Sequence, residues 1–264
     1  MLASPRIVAG LMYHEVTNDP STTGFQRASA LPYTLTHGAF ARHLDCIADE
    51  GLVPALVSQL DFILSGRDLL LTFDDGGKSA LYTAEALARR GWRGHFFIVT
   101  GKIGERTFLD RAGIRDLANS GHLVGSHSHT HPDIFRNLTR QRMFEEWRVS
   151  RTIVSDILGA PCDVASIPGG DQSPAVLATA AEAGFNYLFT SEPWLRPRSV
   201  DGCWMMGRFA VKDSLSPAHL RRLLRFRGWR RAWMVRRLKD IARRGLGPLY
   251  PLYVRRITAS RPTA

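Results

Sequence analysis

The stretch Leu70-Leu71-Thr72-Phe73-Asp74-Asp75-Gly76-Gly77, read with Ser126-His127-Ser128-His129-Thr130-His131-Pro132-Asp133, decides how this chain folds and what chemistry it can carry. The first segment is an apolar run that stops at two adjacent carboxylates and two glycines. The second sets histidines four residues apart, a spacing that predicts two imidazoles on one side of a helical turn. One carboxylate with two histidines gives three N/O ligands and leaves a position open for water. That is the pattern of a catalytic metal, whereas structural zinc sites close with four ligands and favour cysteine. The two segments together point to metal-dependent hydrolysis.

Working outward, short apolar runs alternate with amphipathic stretches. Strands are expected at Ile7–Tyr13, Leu69–Phe73, His95–Val99, Leu123–Gly125, Asp163–Ile167, Tyr187–Thr190 and Trp204–Val211. Helices are expected at Gly38–Asp49, Ser79–Arg90, Asp110–Asn119, Arg140–Leu158 and Pro174–Ala183. Several of these end at a glycine, the residue that accepts the left-handed position after a helix. Alternating β and α elements with near-continuously apolar strands predict a parallel sheet. About seven strands in one domain predict an α/β fold that closes, or partly closes, into a barrel. The chemical residues then fall at strand C-terminal ends, where such folds place their sites. In a regular strand Asp74 and Asp75 would face opposite ways. Both serve one site only if the backbone turns there, and Gly76-Gly77 supplies that freedom.

Composition narrows the classes. A chain of 264 residues that is 44% hydrophobic holds a sizeable core, which excludes global disorder. Cys46, Cys162 and Cys203 are scattered and form no CxxC pair, so buried reduced thiols are expected rather than a disulfide framework. The stretch Met1–His14 lacks a secretory profile, and no run approaches the roughly 18 apolar residues of a spanning helix. The expected location is cytoplasmic, peripheral on the inner face of the membrane.

Thr72-Phe73-Asp74-Asp75-Gly76 and His127-Ser128-His129-Thr130-His131, the latter preceded by Gly121-His122-Leu123-Val124-Gly125-Ser126, resemble the polysaccharide deacetylase family, the NodB homology domain of carbohydrate esterases. The TFDDG and HSxxH motifs stand in order, and the likeness spans residues 7–212. The resemblance implies a distorted (β/α) barrel and a divalent metal, zinc or a similar ion. It implies Asp75, His127 and His131 as ligands and Asp74 as general base. A third family motif, RxPxG, reads Ser166-Ile167-Pro168-Gly169-Gly170 here, with serine in place of the arginine that orients the base. Pro168, Gly169 and Gly170 can still turn backbone N–H groups toward an oxyanion. Arg208 is the candidate to orient Asp74 instead. The late-strand histidine that serves the family as general acid is missing, since no histidine lies between His131 and His219. His14 is the expected substitute, and a Tyr-His ending of the first strand also occurs in exopolysaccharide-type members. His129, two residues from His127, should face away from the metal, and His95 and His122 read as strand-entry residues.

Charge is confined to one end. Between Arg221 and Arg256 stand thirteen Lys/Arg against a single acid, Asp240, for +12; the remaining 22 bases and 23 acids leave −1. Met234, Val235, Leu238, Ile241 and Ala242 form one apolar stripe on a predicted helix after Gly228. Arg230, Arg236, Arg237, Lys239, Arg243 and Arg244 lie around it with Trp229 and Trp233. This profile fits a helix lying on an anionic membrane surface, or one packed on the barrel; nucleic acid is disfavoured because no recognition motif is present. The expected organisation is a catalytic domain over residues 1–215 and a basic helical appendage over 216–264. The expected reaction removes an N-acyl group, acetyl above all, from an amino sugar in a polysaccharide or lipid-linked saccharide. O-deacylation or deformylation by the same site, and saccharide binding with lost activity, are the alternatives.

Overall fold

Leu69–Phe73 is buried on both faces, as a run of Leu-Leu-Leu-Thr-Phe demands, and forms the core of a strand that begins at Arg67. The structure, a computed structural model, describes residues 6–170 and 172–245, with side chains through residue 238. Its strands are β1 (Ile7–Tyr13), β2 (Glu15–Val16), β3 (Thr34–Leu35), β4 (Arg67–Phe73), β5 (His95–Ile98), β6 (Leu123–Ser126), β7 (Val164–Ser166), β8 (Tyr187–Phe189), β9 (Arg198–Val200), β10 (Cys203–Met206) and β11 (Arg208–Ala210). Its α-helices are α1 (His37–Asp49), α2 (Ser79–Ala88), α3 (Arg111–Asn119), α4 (Arg140–Leu158), α5 (Pro174–Glu182), α6 (Pro217–Leu224) and α7 (Trp229–Gly245).

The main sheet runs β11-β1-β4-β5-β6-β7-β8-β10-β9, parallel except for the β9 edge. Its two ends belong to one segment. Trp204–Met206 pairs with β8, and one residue later Arg208–Ala210 pairs with β1. Counting β10 and β11 as one bent strand, the barrel closes on itself with the seven strands expected. The bend is at Gly207, where a Cβ would lie 2.3 Å from the Trp194 carbonyl oxygen and 2.7 Å from that of Glu192. β2 and β3 form a separate small sheet, and β9 is an added edge strand.

Strand alternation sorts the side chains. Ala9, Leu11, Tyr13, Leu69, Leu71, Phe73, Phe96 and Ala165 join the large core cluster shared with the helices. Val8, Leu70, Phe97, Val164, Phe189 and Met206 form a second cluster with Val57 and Leu60. Continuing that second parity along each strand reaches Thr72, Asp74, His127, Ser166, Arg208 and His14. The chemistry therefore lies inside the barrel, above its apolar plug. Helix ends follow local signals: Thr36, Asp110, Thr139, Ser173 and Ser216 cap their helices through side-chain oxygens, and α4 stops at Gly159 in the left-handed region. The three cysteines are buried and free.

The expected boundary at residue 216 falls inside the core. Leu220, Leu223 and Leu224 of α6 and Trp229 at the start of α7 are at most 3% exposed and belong to the main cluster. Arg221 and Arg225 also pair with Asp49 and Glu50 on the edge of α1. The pattern of α6 is amphipathic, and α1 is what its apolar side meets. Any appendage therefore begins within α7. Expectations for the side chains of Lys239, Ile241, Ala242, Arg243 and Arg244, and for residues 246–264, fall outside the described residues.

Candidate active site

At the end of β4 the strand parity that turns Leu70 and Thr72 inward also turns Asp74 inward. Asp75 would face the helices, but its φ of 81° swings the chain over, and Gly76 follows at 76°. The turn thus begins at Asp75 itself, one residue earlier than the glycines suggest. Gly77 is needed for space instead: a Cβ there would clash with the Glu15 carboxylate at 2.2 Å. Glu15 accepts from the Gly24 N–H and from the Ser79 hydroxyl, tying β2 to the loop that carries the two aspartates. Burial pushes its carboxyl up to about 7, against the pull of both hydrogen bonds.

The segment from His127 to His131 is not helical, contrary to the reading of its spacing. Ser128 and His131 take φ values of 63° and 55°, so two left-handed residues fold the loop back and bring the rings together. A buried carboxylate from α4, Glu146, holds this shape by accepting from the His129 and Thr130 N–H groups and the Thr130 hydroxyl. The His131 N–H donates to Ser128 Oγ, and the Ser128 N–H to Ser126 Oγ. With its backbone bonds supplied by side chains, the loop has no need of helical pairing. His129 turns away to Thr100, as expected.

Asp75, His127 and His131 converge, their ligand atoms all within 4.8 Å of one another. His127 Nε2 is 3.5 Å and His131 Nε2 3.7 Å from Asp75 Oδ1. His127 Nδ1 is 3.0 Å from the Ser166 carbonyl, which can only accept. That bond fixes the proton on Nδ1 and leaves the Nε2 lone pair facing Asp75, the orientation a metal ligand requires. Burial alone would raise Asp75, yet the neighbouring imidazoles of His127, His14 and His131 pull it well below the usual carboxylate range whenever they carry the extra proton. Burial and the neighbouring His127 push His131 down to about 4. An anionic carboxylate and two imidazoles at this separation fit a first-row divalent ion such as zinc.

Asp74 lies beside this group, its Oδ2 3.8 Å from His127 Nε2. Arg208 grips it with two bonds, Nη1 to Oδ1 at 2.7 Å and Nη2 to Oδ2 at 3.0 Å. Arg208 is fully buried, and its remaining donors go to Thr72 Oγ1, Ser166 Oγ and the Thr190 carbonyl. Ser166 in turn donates to Asp74 Oδ2. Burial would raise Asp74, but Arg208 and His127 bring its pKa below normal. The guanidinium absent from position 166 thus arrives from β11, and the serine there fills the bridge between it and the carboxylate. Ser166 and Thr72 complete this network, and their inward parity is readable from the strands that carry them.

His14 follows β1 into the same lumen, with its ring 4.9 Å from Tyr33 and a buried Nδ1 that has no hydrogen-bond partner among the described residues. Burial lowers its pKa, while Asp75 and Asp74 pull it back up. The Pro168–Gly170 turn corrects one expectation. Proline has no N–H, and the Gly170 N–H donates to the Ile167 carbonyl, so of the three residues Gly169 is the remaining amide candidate. His95 and His122 sit at strand entries, as expected, with Gly94 and Val57 N–H groups donating to them.

A closed parallel barrel with titratable groups gathered at its strand C-terminal ends is an architecture that carries active sites at that face. Residues 64–188, which include both motifs, match the family model described as polysaccharide deacetylase. Members of that family are hydrolases acting on amide or ester bonds of polysaccharides, and the likeness of this chain to them rests on residues 64–188. Among relatives, YxkH of Bacillus subtilis (strain 168), provisionally named a polysaccharide deacetylase, is 22% identical over 213 residues, 78% of this chain and 72% of its own. Among solved structures, a polysaccharide deacetylase from Bacillus cereus superposes with a TM-score of 0.71 at 18% identity, over 83% of this chain and 69% of that one. IcaB from Ammonifex degensii superposes at 0.68 and 19%, over 88% and 98%. At these identities the structural likeness is one of fold.

Proposed function

We propose that this protein is a divalent-metal deacetylase, of the zinc type, that removes an N-acetyl group from an amino sugar within a polysaccharide or lipid-linked saccharide. The observation that carries the reading is the pairing of an Asp75-His127-His131 group with a second carboxylate, Asp74, held separately by Arg208. When bound, the ion would supply Lewis acidity and an acidified water. Asp74, anionic and fixed in direction by two guanidinium bonds, takes the proton of the attacking water. The Gly169 N–H is the backbone donor available to the oxyanion, and His14 hands a proton to the departing amine.

The tests separate these roles. The purified protein should hold about one divalent ion, and His127→Ala and His131→Ala should each lose it by elemental analysis. Asp74→Asn should keep the metal and lose most turnover, while Asp75→Asn should lose the metal. Equal metal loss in both aspartate variants removes the proposed division. Acetate release from N-acetylated but not O-acetylated oligosaccharides supports the amide reading, and the reverse preference replaces it. His14→Ala with unchanged rate and pH profile would exclude it as the acid.

A further inference from the structure

The basic, apolar-striped segment after Gly228 is not used by the site, and α7 shows which way it faces. Trp229 is 3% exposed and donates from Nε1 to the Leu223 carbonyl, and Arg236 reaches Glu192 at 3.3 Å. At about 100° per residue, positions 229 and 236 lie about 20° apart around the helix, so one side is fixed against the barrel. The far side carries Met234, Val235 and Leu238, exposed by 57%, 45% and 65%. Exposed Arg230, Arg231 and Arg237 interleave with and flank them. Among the described residues no carboxylate pairs with these three guanidinium groups.

We infer that this outer face of α7 docks on the surface of an anionic lipid bilayer. An apolar strip with cations among and beside it matches the layering of acyl chains below anionic headgroups, and it suits a helix lying in the interface. No described helix is long and apolar enough to cross a membrane. A second copy of the chain is a poor partner, because it would bring like charges together. The approach to α7 adds to the field: a recess of about 490 Å³ is lined by Ala218, Arg221, Arg222, Arg225 and Arg227, of which Arg221 and Arg225 are already paired with α1 or its cap. The docked helix would run beside the site, since Arg236 Nη2 comes within 3.3 Å of a Cβ placed on Gly170. The docking does not depend on the deacetylase reading, because its readout is binding.

The test is co-sedimentation of the full chain with vesicles of phosphatidylcholine alone, or of phosphatidylcholine mixed with phosphatidylglycerol. The parent should pellet with the anionic vesicles only, and less so as salt rises. Replacing Arg230, Arg231 and Arg237 together by Glu should weaken binding on the order of a hundredfold or more, at about fivefold per lost cation. Met234→Gln with Leu238→Gln should weaken it by about tenfold or more. These side chains are exposed, so circular dichroism should be unchanged; if a combined variant fails to fold, Leu238→Gln alone serves. A parent that stays in solution with both vesicles overturns the inference, as does equal binding by parent and variants. A parent that binds a DNA duplex and ignores vesicles overturns it too, and assigns the face to nucleic acid.

Discussion

Arg208 shows how one side chain organises a buried site. Desolvating a guanidinium costs several kcal/mol and is offset only when its donors are bonded; here they reach Asp74, Thr72, Ser166 and the Thr190 carbonyl. Arg208→Met should therefore destabilise the fold by about 3–5 kcal/mol in urea denaturation, because Asp74 would be left buried without its counter-ion. Ser166→Ala, which keeps the ion pair and loses one hydroxyl, should cost about 1 kcal/mol. In the proposed reaction the methionine variant should also raise the acidic limb of the pH–rate profile, since Asp74 loses the charge that holds its pKa down. If both variants cost the same and leave the profile alone, Arg208 does not hold the base. In the sequence the serine at 166 was visible as a missing arginine. Spacing alone does not place its replacement, because Arg208 and Asp74 lie 134 residues apart and meet only when the barrel closes.

At the scale of elements, α6 and the far side of α7 read alike in sequence, as amphipathic basic helices. Packing separates them: Leu223 is fully buried and Leu238 is 65% exposed. Leu223→Ala should cost about 2–5 kcal/mol, whereas Leu238→Ala should stay within about 0.5 kcal/mol. Equal costs in equilibrium denaturation would reject the placement of α6 in the core. The His127–His131 loop makes the same point. Its histidine spacing is compatible with a helical turn, and the carboxylate that imposes another shape, Glu146, sits on α4 about 15 residues onward, where a spacing argument does not look.

For the whole molecule, acid stability follows from buried groups of opposite sign. Burial pushes His95 and His122 down to about 4, so the native state resists protons that the unfolded chain takes up near its ordinary 6.5. Their contribution is intact above about 6.5 and is lost as pH falls toward 4. Glu15, pushed up to about 7, acts the other way: the native state keeps a proton that the unfolded chain releases above about 4.5, so its contribution falls as pH rises through that window. Glu15→Gln should steepen the loss of stability between pH 7 and 5, and His95→Gln should flatten it. Urea midpoints at several pH values measure this, and an unchanged slope in both variants would remove the assignment.

The sequence by itself determined the strand order along the chain, the helix caps, the strand-end position of the acidic and histidine motifs and the chemistry of the three ligand candidates. These are local properties: alternation of period two, capping oxygens and the donor atoms of adjacent residues. Only the tertiary structure decided that Asp75 rather than a glycine begins the turn, that Arg208 and Ser166 share Asp74, and that the Gly170 amide is already engaged. It also decided that the core extends through Trp229. Each of these depends on which distant segment arrives beside a residue, and that is fixed when the bend at Gly207 lets one strand pair with both β8 and β1.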